Sequence, residues 1–218
     1  EKIKPNMTLE LGCYNGILLN YLSNKYSKEK FVGVDIENHI IKFAKERFKQ
    51  DNLNYHTLDY KNLSKLKNKY DFIFTLFGIE NIPSNITFDK YEIRDNKNYL
   101  SKYNFFDFFF KNLDYVRKEG TLFFPLIRIP DLNCLIAFLD AGTNNQWRLK
   151  ENKISFVESR NFHNEMERIP SFLLEYSSLN KKSDKIDLDI FFKITNELRK
   201  NDDLIDKFKF EKNKSKFN

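Results

Sequence analysis

The alternation of apolar and polar positions near the start of the chain predicts two strands joined by a helix. Short apolar runs lie at positions 7–11, where the run also carries Glu10, and at positions 31–34, and each run has the length of a strand. Between these runs the apolar spacing becomes that of a helix, at Ile17, Leu18, Tyr21 and Leu22. Gly12 and Gly16 precede the helix, and Asp35 ends the second strand. This order predicts a βαβ unit with a ligand loop at its first turn.

The same periodicity predicts further elements, all within one domain spanning residues 1–218. Helices are predicted over 40–48, 62–69, 103–116, 131–139 and beyond 187, and strands over 53–58, 71–77, 121–127, 154–157 and 172–176. The segment 117–120 is expected to end the predicted helix 103–116, which is rich in aromatic residues. Asp131 is expected to cap the helix that follows it, and Gly142 to end that helix. Residues 83–101 predict a long loop or lid, and about 187–218 a C-terminal helix with a basic tail.

The first turn has the composition of a ligand-binding loop. Glycines allow a ligand to approach the backbone closely, and the amides that open a helix favour an anionic group. An acid at the end of the second strand, here Asp35, can accept hydrogen bonds from two ribose hydroxyls. The dinucleotide-binding fingerprint would require glycines at positions 14 and 17, where Tyr14 and Ile17 stand. The spacing therefore does not fit a dinucleotide.

The stretch from Glu10 to Asp35 resembles motifs I and II of the class I S-adenosyl-L-methionine (SAM)-dependent methyltransferases. Motif I of that family is an acid, any residue, and then Gly-x-Gly-x-Gly. Here Glu10, Gly12 and Gly16 match, and Tyr14 replaces the middle glycine. The resemblance implies an α/β fold with a seven-stranded, mostly parallel Rossmann-like sheet, helices on both faces and an antiparallel last strand. It also implies a methyltransferase that uses SAM and releases S-adenosyl-L-homocysteine (SAH).

The resemblance assigns cofactor contacts to nine residues, namely Glu10, Gly12, Cys13, Tyr14, Gly16, Asp35, Ile36, Asp59 and Phe77. By this assignment Gly12 and Gly16 line the methionine end of SAM. Glu10 supports the loop, and Asp35 holds the ribose.

The remaining assignments have alternatives. Ile36 is expected to lie against the adenine. Asp59 contacts the adenine amino group in this assignment, and an ordinary turn aspartate is the alternative. Tyr14 and Phe77 are candidates to face the sulfonium, whose charge aromatic rings stabilise, and ordinary packing is the alternative.

The acceptor side is expected in loops that the family topology places on the ligand face. Those loops contain Glu80, Asn81, Arg94, Arg128 and the segment 158–168 with His163. His163 and Glu80 are candidate general bases for a neutral hydroxyl, and a solvated loop histidine is the alternative. Four loop arginines, namely Arg94, Arg128, Arg160 and Arg168, predict a carboxylate- or phosphate-bearing acceptor, with scattered surface charge as the alternative.

Composition adds limits on partners and location. The net charge of +6 permits nucleic-acid binding, but no compact Lys/Arg block precedes the last turns, so nucleic acid is not the expected partner. The two cysteines, Cys13 and Cys134, predict a reducing, cytoplasmic location, and the metal spacing Cys-x-x-Cys is absent. No apolar run reaches the ~20 residues that span a bilayer, so no membrane partner is expected. The oligomeric state, with a homodimer as one alternative, and any substrate-covering helix before Glu1 stay open.

Three functions are compatible with these features. The leading prediction is a methyltransferase that acts on an O or N atom of a small, anionic acceptor. The second is an RNA or protein methyltransferase, which the positive charge favours. The third is a non-catalytic subunit with the same fold, which the departure at Tyr14 favours.

Overall fold

The computed structural model of the chain describes residues 6–76, 96–126, 132–160 and 166–178. The strands are β1 (Met7–Leu11), β2 (Lys30–Asp35), β3 (Leu53–Thr57), β4 (Tyr70–Leu76), β5 (Arg117–Leu126), β6 (Trp147–Arg160) and β7 (Met166–Tyr176). The helices are α1 (Ile17–Lys25), α2 (Asn38–Arg47), α3 (Asn96–Leu113) and α4 (Leu132–Asn144), with a 3-10 helix at Tyr60–Lys65.

The strands form one seven-stranded sheet in the order β3-β2-β1-β4-β5-β7-β6. Neighbouring strands are parallel in the pairs β3–β2, β2–β1, β1–β4 and β4–β5. Strand β7 is antiparallel to both of its neighbours, β5 and β6. The predicted fold class, a mostly parallel Rossmann-like sheet with a last antiparallel strand, is confirmed.

The strand order places the first turn at the point where open α/β sheets bind ligands. β1 lies between β2 and β4, and Leu11 is in register with Val34 and with Thr75. The chain moves from β1 to one side of the sheet and returns to its other side at β4. A crevice forms beyond the carboxyl ends of two such strands. The loop after β1 and the acid that ends β2 therefore lie at the same edge.

Each face of the sheet has its own apolar core. On one face α3 and α4 pack with the hairpin of β6 and β7, and an aromatic cluster fills this side with Phe106, Phe109, Phe110, Phe123, Phe138 and Trp147. On the other face α1 and α2 cover a smaller core that includes Leu19, Phe31, Ile41, Ala44, Tyr55 and Phe74. Each fully buried aromatic or aliphatic side chain contributes roughly 1.5–3 kcal/mol relative to an exposed one. The larger core supports the scaffold, and the smaller core lies beneath the first turn.

Several predicted boundaries in the second half are wrong. Helix α3 begins at Asn96, so the predicted loop 83–101 is too long at its C-terminal end. The segment 117–120, predicted to close that helix, forms the start of β5 and pairs with β4 through Arg117 and Tyr70. The hairpin strands β6 and β7 are much longer than predicted.

Gly142 does not end α4, which continues to Asn144. A Cβ on this glycine would lie 3.0 Å from Cζ of Phe110, so the small residue allows α3 and α4 to approach closely. The predicted cap at Asp131 and the helix beyond residue 187 lie outside the described residues. None of the helices in the described segments is long and apolar enough to cross a membrane.

Candidate cofactor site at the first turn

The turn after β1 keeps a left-handed backbone at all three positions of the motif. The φ angles are 73° at Gly12, 46° at Tyr14 and 73° at Gly16. Glycine adopts such angles without steric cost, whereas the left-handed conformation of a residue with a Cβ costs roughly 1–2 kcal/mol of conformational free energy. Tyr14 therefore replaces the middle glycine of the motif without removing its left-handed backbone. Some interaction must compensate for the strain at this residue.

Asp35 supplies that interaction from the end of β2. Its Oδ2 accepts a hydrogen bond of 2.9 Å from the backbone N–H of Tyr14, and its Oδ1 accepts one of 3.0 Å from that of Glu37. Hydrogen bonds to a charged acceptor contribute about 1.5–3 kcal/mol, enough to offset the left-handed conformation. Each carboxylate oxygen has a second lone pair. Asp35 can thus hold the loop and still accept hydrogen bonds from ligand hydroxyls.

Three further amides of the turn donate hydrogen bonds within the chain. Gly12 N and Cys13 N donate to the carbonyl of Val34 at 2.8 and 3.0 Å, and Gly16 N donates to that of Cys13 at 3.0 Å. The amides of Gly12 and Cys13 thus fix the loop against β2, and the amide of Gly16 closes the loop on itself. The expected attraction of an anionic group to the amides that open α1 stays a prediction. The ordered turn thus lies between two carboxyl side chains, Glu10 near the end of β1 and Asp35 at the end of β2.

Glu10 is the second carboxylate. Its side chain is buried beneath the loop, and Oε2 finds no hydrogen-bond donor within the described part of the chain. Burial, and then the nearby charge of Asp35, raises the pKa of Glu10 to about 8. No described basic side chain forms an ion pair with Glu10 or Asp35. An unsatisfied buried carboxyl beside a second acid favours a ligand with a positive charge.

These features fit SAM. The cofactor carries an ammonium group and a sulfonium, which suit the acidic surroundings of Glu10, and ribose hydroxyls, which suit Asp35. Ile36, predicted to lie against the adenine, is 63% exposed, so its apolar side chain is available as a contact surface. The Tyr14 side chain is 62% exposed, and thus it is not buried as a plug in the site.

Two residues of the site were missed by the sequence reasoning, Tyr55 and Gly33. The Tyr55 hydroxyl donates a buried hydrogen bond of 2.8 Å to the carbonyl of Gly16. Gly33 is in register with Tyr55, and a Cβ there would lie 2.7 Å from Sγ of Cys13 and 2.9 Å from Cδ1 of Tyr55. A glycine inside a strand often marks such a close approach, and this was the available signal.

Of the remaining predicted cofactor residues, the structure describes Cys13 and Asp59. Cys13 is buried, and burial followed by the charge of Glu10 raises the pKa of its thiol. Asp59 accepts a hydrogen bond of 3.0 Å from the N–H of Lys61 and caps the 3-10 helix, which agrees with the turn alternative. A contact between Asp59 and the adenine stays a prediction. Phe77 lies outside the described residues.

Most of the predicted acceptor site also lies outside the described residues, namely Glu80, Asn81, Arg94, Arg128 and His163. Arg160 and Arg168 were placed in the loop between the last two strands, but they belong to β6 and β7. In the hairpin Arg160 is opposite Met166, and Arg168 is opposite Glu158. The arginine cluster therefore stays a prediction.

Comparison with known sequences finds similarity to methyltransferases in the N-terminal part of the chain. Residues 8–89 match the family model described as a methyltransferase domain. A segment of 77 residues is 31% identical to the protein named "Putative methyltransferase 235L" of Invertebrate iridescent virus 6. That match covers 35% of this chain and 28% of the viral protein.

Comparison with solved structures extends the similarity to most of the chain. A SAM-dependent methyltransferase of Methanosarcina mazei aligns with a TM-score of 0.53 and 13% identity, over 78% of this chain and 92% of that protein. The chain has the fold of the class I SAM-dependent methyltransferases. The magnesium protoporphyrin IX methyltransferase of Synechocystis PCC 6803, solved with bound SAM, has a TM-score of 0.52 and 14% identity over 78% of this chain and 69% of that protein. The methyltransferase resemblance read from the sequence is confirmed.

The buried acid of this methyltransferase fold should make its stability depend on pH. The Glu10 carboxyl titrates at 4.5 when unfolded and at about 8 when folded, so folding takes up a proton between these values. The free energy of unfolding should therefore fall as the pH rises through this window, by at most about 1.4 kcal/mol per pH unit.

Urea denaturation of the wild type and of Glu10→Gln at several pH values measures this effect. The variant should lose the pH-dependent contribution of Glu10, whereas Glu46→Gln, at an exposed position on α2, should keep it. Parallel pH profiles for the wild type and Glu10→Gln would contradict the prediction.

Proposed function

We propose that the chain binds SAM at the first turn and transfers its methyl group to an acceptor. The observation that carries this proposal is the pair of carboxylates, Glu10 and Asp35, on either side of a left-handed loop. Their position at the switch point of the sheet, within the matched region 8–89, supports the same reading.

Each residue has a definite part in this proposal. Asp35 accepts hydrogen bonds from the ribose hydroxyls, and Ile36 provides an apolar surface for the adenine. An ammonium group beside Glu10 favours its ionised form and thereby satisfies the buried carboxylate. SAM, when bound, supplies a methyl group that is already activated, so the protein has mainly to position the acceptor and exclude water.

Isothermal titration calorimetry with SAM and with SAH tests the binding step. Both ligands should bind at a stoichiometry of one per chain, and ATP is the control for general nucleotide binding. Methyl transfer from radiolabelled SAM to a panel of hydroxyl and amine compounds then tests the reaction. The absence of heat with both SAM and SAH would overturn the proposal and favour a non-catalytic subunit.

The acceptor proposal is narrower and rests on the sequence. We propose a small O or N acceptor with an anionic group, recognised by the arginines at positions 94, 128, 160 and 168, with His163 or Glu80 as general base. We also propose that the protein is located in the cytoplasm, on the basis of its two cysteines. The positive net charge of +6 supports RNA as the alternative acceptor, and a steep salt dependence of RNA binding would favour it.

Replacing Arg128 and Arg160 together with alanine should raise the KM for a carboxylate- or phosphate-bearing acceptor about tenfold or more. The reason is the loss of two guanidinium groups, which bind such anions by paired hydrogen bonds. SAH affinity should not change, and Arg47→Ala, at an exposed position of α2, is the control. Steady-state kinetics with the compounds that accept methyl groups measure the effect, and an unchanged KM would contradict it.

A further inference from the structure

We propose that Tyr55 is a positioning residue for SAM, because its hydroxyl holds residues 12–16, here called the cofactor loop, in the conformation that binds SAM. This inference rests on the function proposed above. Tyr55 lies on β3, two strands away from the loop that it contacts, and its side chain is only 3% exposed. It acts on SAM through the loop.

The hydrogen bond of Tyr55 acts where the loop becomes a helix. The carbonyl of Gly16 accepts two hydrogen bonds. One, of 2.9 Å from Asn20 N, is the first backbone hydrogen bond of α1, and the other, of 2.8 Å, comes from the Tyr55 hydroxyl. Both lone pairs of this oxygen are thus used. Because Gly16 is also the last left-handed residue of the turn, fixing its carbonyl fixes both the end of the loop and the direction of the helix.

Two glycines make room for the Tyr55 ring. A Cβ on Gly16 would lie 2.5 Å from the Tyr55 hydroxyl oxygen, and one on Gly33 would lie 2.9 Å from Cδ1 of the ring. A buried tyrosine hydroxyl needs a hydrogen-bond partner, and here the partner is the loop itself. The ring is thereby confined to a place from which it can hold Gly16.

Tyr55 and Asp35 hold the loop from two sides. The carboxylate of Asp35 accepts a hydrogen bond from the N–H of Tyr14, and the hydroxyl of Tyr55 donates one to the carbonyl of Gly16, two residues further on. In the proposed complex Asp35 is shared with the ribose, so its hold on the loop depends on the ligand. The hydroxyl of Tyr55, by contrast, donates its hydrogen bond to the loop and is not shared with the ligand. It therefore keeps the site formed before SAM binds. Preorganisation of this kind improves affinity by reducing the ordering cost of binding.

The test compares Tyr55→Phe with Tyr176→Phe. Both variants lose a tyrosine hydroxyl that donates a hydrogen bond, since Tyr176 donates one of 2.6 Å to Oε1 of Gln146 on the far side of the sheet. SAH affinity by calorimetry should fall about 3- to 10-fold in Tyr55→Phe, the range expected for one neutral hydrogen bond, and stay unchanged in Tyr176→Phe. Hydrogen exchange of the peptide covering residues 12–17, measured without ligand, should be faster in Tyr55→Phe alone.

The two measurements separate the outcomes. Faster loop exchange together with weaker SAH binding supports the inference. Wild-type affinity in Tyr55→Phe overturns it whether or not the loop exchanges faster, and equal losses in both variants also overturn it. If the wild type does not bind SAH, the proposed function fails, and the positioning role for SAM fails with it.

Discussion

Replacing Asp35 with alanine is expected to weaken SAH binding by at least 100-fold. The carboxylate accepts hydrogen bonds from Tyr14 N and Glu37 N, and in the proposed complex it also accepts hydrogen bonds from the ribose. Hydrogen bonds to a charged group contribute about 1.5–3 kcal/mol each, and a 100-fold loss corresponds to about 2.7 kcal/mol. The variant loses the ribose contacts and also releases the strained backbone at Tyr14.

Calorimetric titration with SAH measures this loss, with Asp51→Ala as the matched control. Asp51 is an exposed aspartate in the turn before β3, so its removal should leave the affinity unchanged. Melting curves establish that Asp35→Ala is folded at the temperature of the titration. Near-wild-type affinity in a folded Asp35→Ala protein would remove Asp35 from the site and weaken the SAM proposal as a whole.

Replacing Gly16 with alanine is expected to destabilise the protein by about 2–5 kcal/mol. Two costs add at this position. The φ of 73° costs a residue with a Cβ roughly 1–2 kcal/mol. The added Cβ would also lie 2.5 Å from the Tyr55 hydroxyl oxygen and 2.6 Å from two ring carbons, and such overpacking costs about 1–3 kcal/mol. Because Tyr55 is enclosed in the core, it cannot move away freely.

Gly120→Ala separates the two costs. Gly120 has a φ of 74°, and a Cβ there would have no atom within 4 Å. This variant should therefore lose only the backbone contribution, roughly 1–2 kcal/mol. Urea denaturation of both variants measures the difference. Equal destabilisation of Gly16→Ala and Gly120→Ala would show that the contact with Tyr55 contributes little.

The first βαβ unit could be predicted from the sequence because its signals are local and agree with one another. The change in apolar period marks the helix, Gly12 and Gly16 mark the turn, and Asp35 marks the end of β2. The contribution of Tyr55 could not be found in this way. Its partner, Gly16, lies 39 residues earlier, and only the pairing of β2 with β3 brings the two together.

The second half was predicted less well because tertiary contacts override local signals there. The segment 117–120 has the basic residues and the glycine of a helix end, yet Arg117 pairs with Tyr70 and lies 3.3 Å from the ring centroid of Tyr176. Gly142 resembles a helix stop, but its lack of a side chain serves packing against Phe110. Arg160 and Arg168 were placed in a loop because short apolar runs mark only part of β6 and β7, whereas the pairing of the two strands extends them to Arg160 and Met166.

The position of Trp147 decides what intrinsic fluorescence can report. It is the sole tryptophan of the chain, and it is buried between α3 and the hairpin, with ring centroids 6.2 Å from Phe110 and 5.6 Å from Tyr176. The cofactor loop lies over the core on the opposite side of the sheet. Tryptophan emission therefore follows the melting of the aromatic core, and a second indole or an extrinsic dye placed near Tyr14 would report on binding at the proposed SAM site.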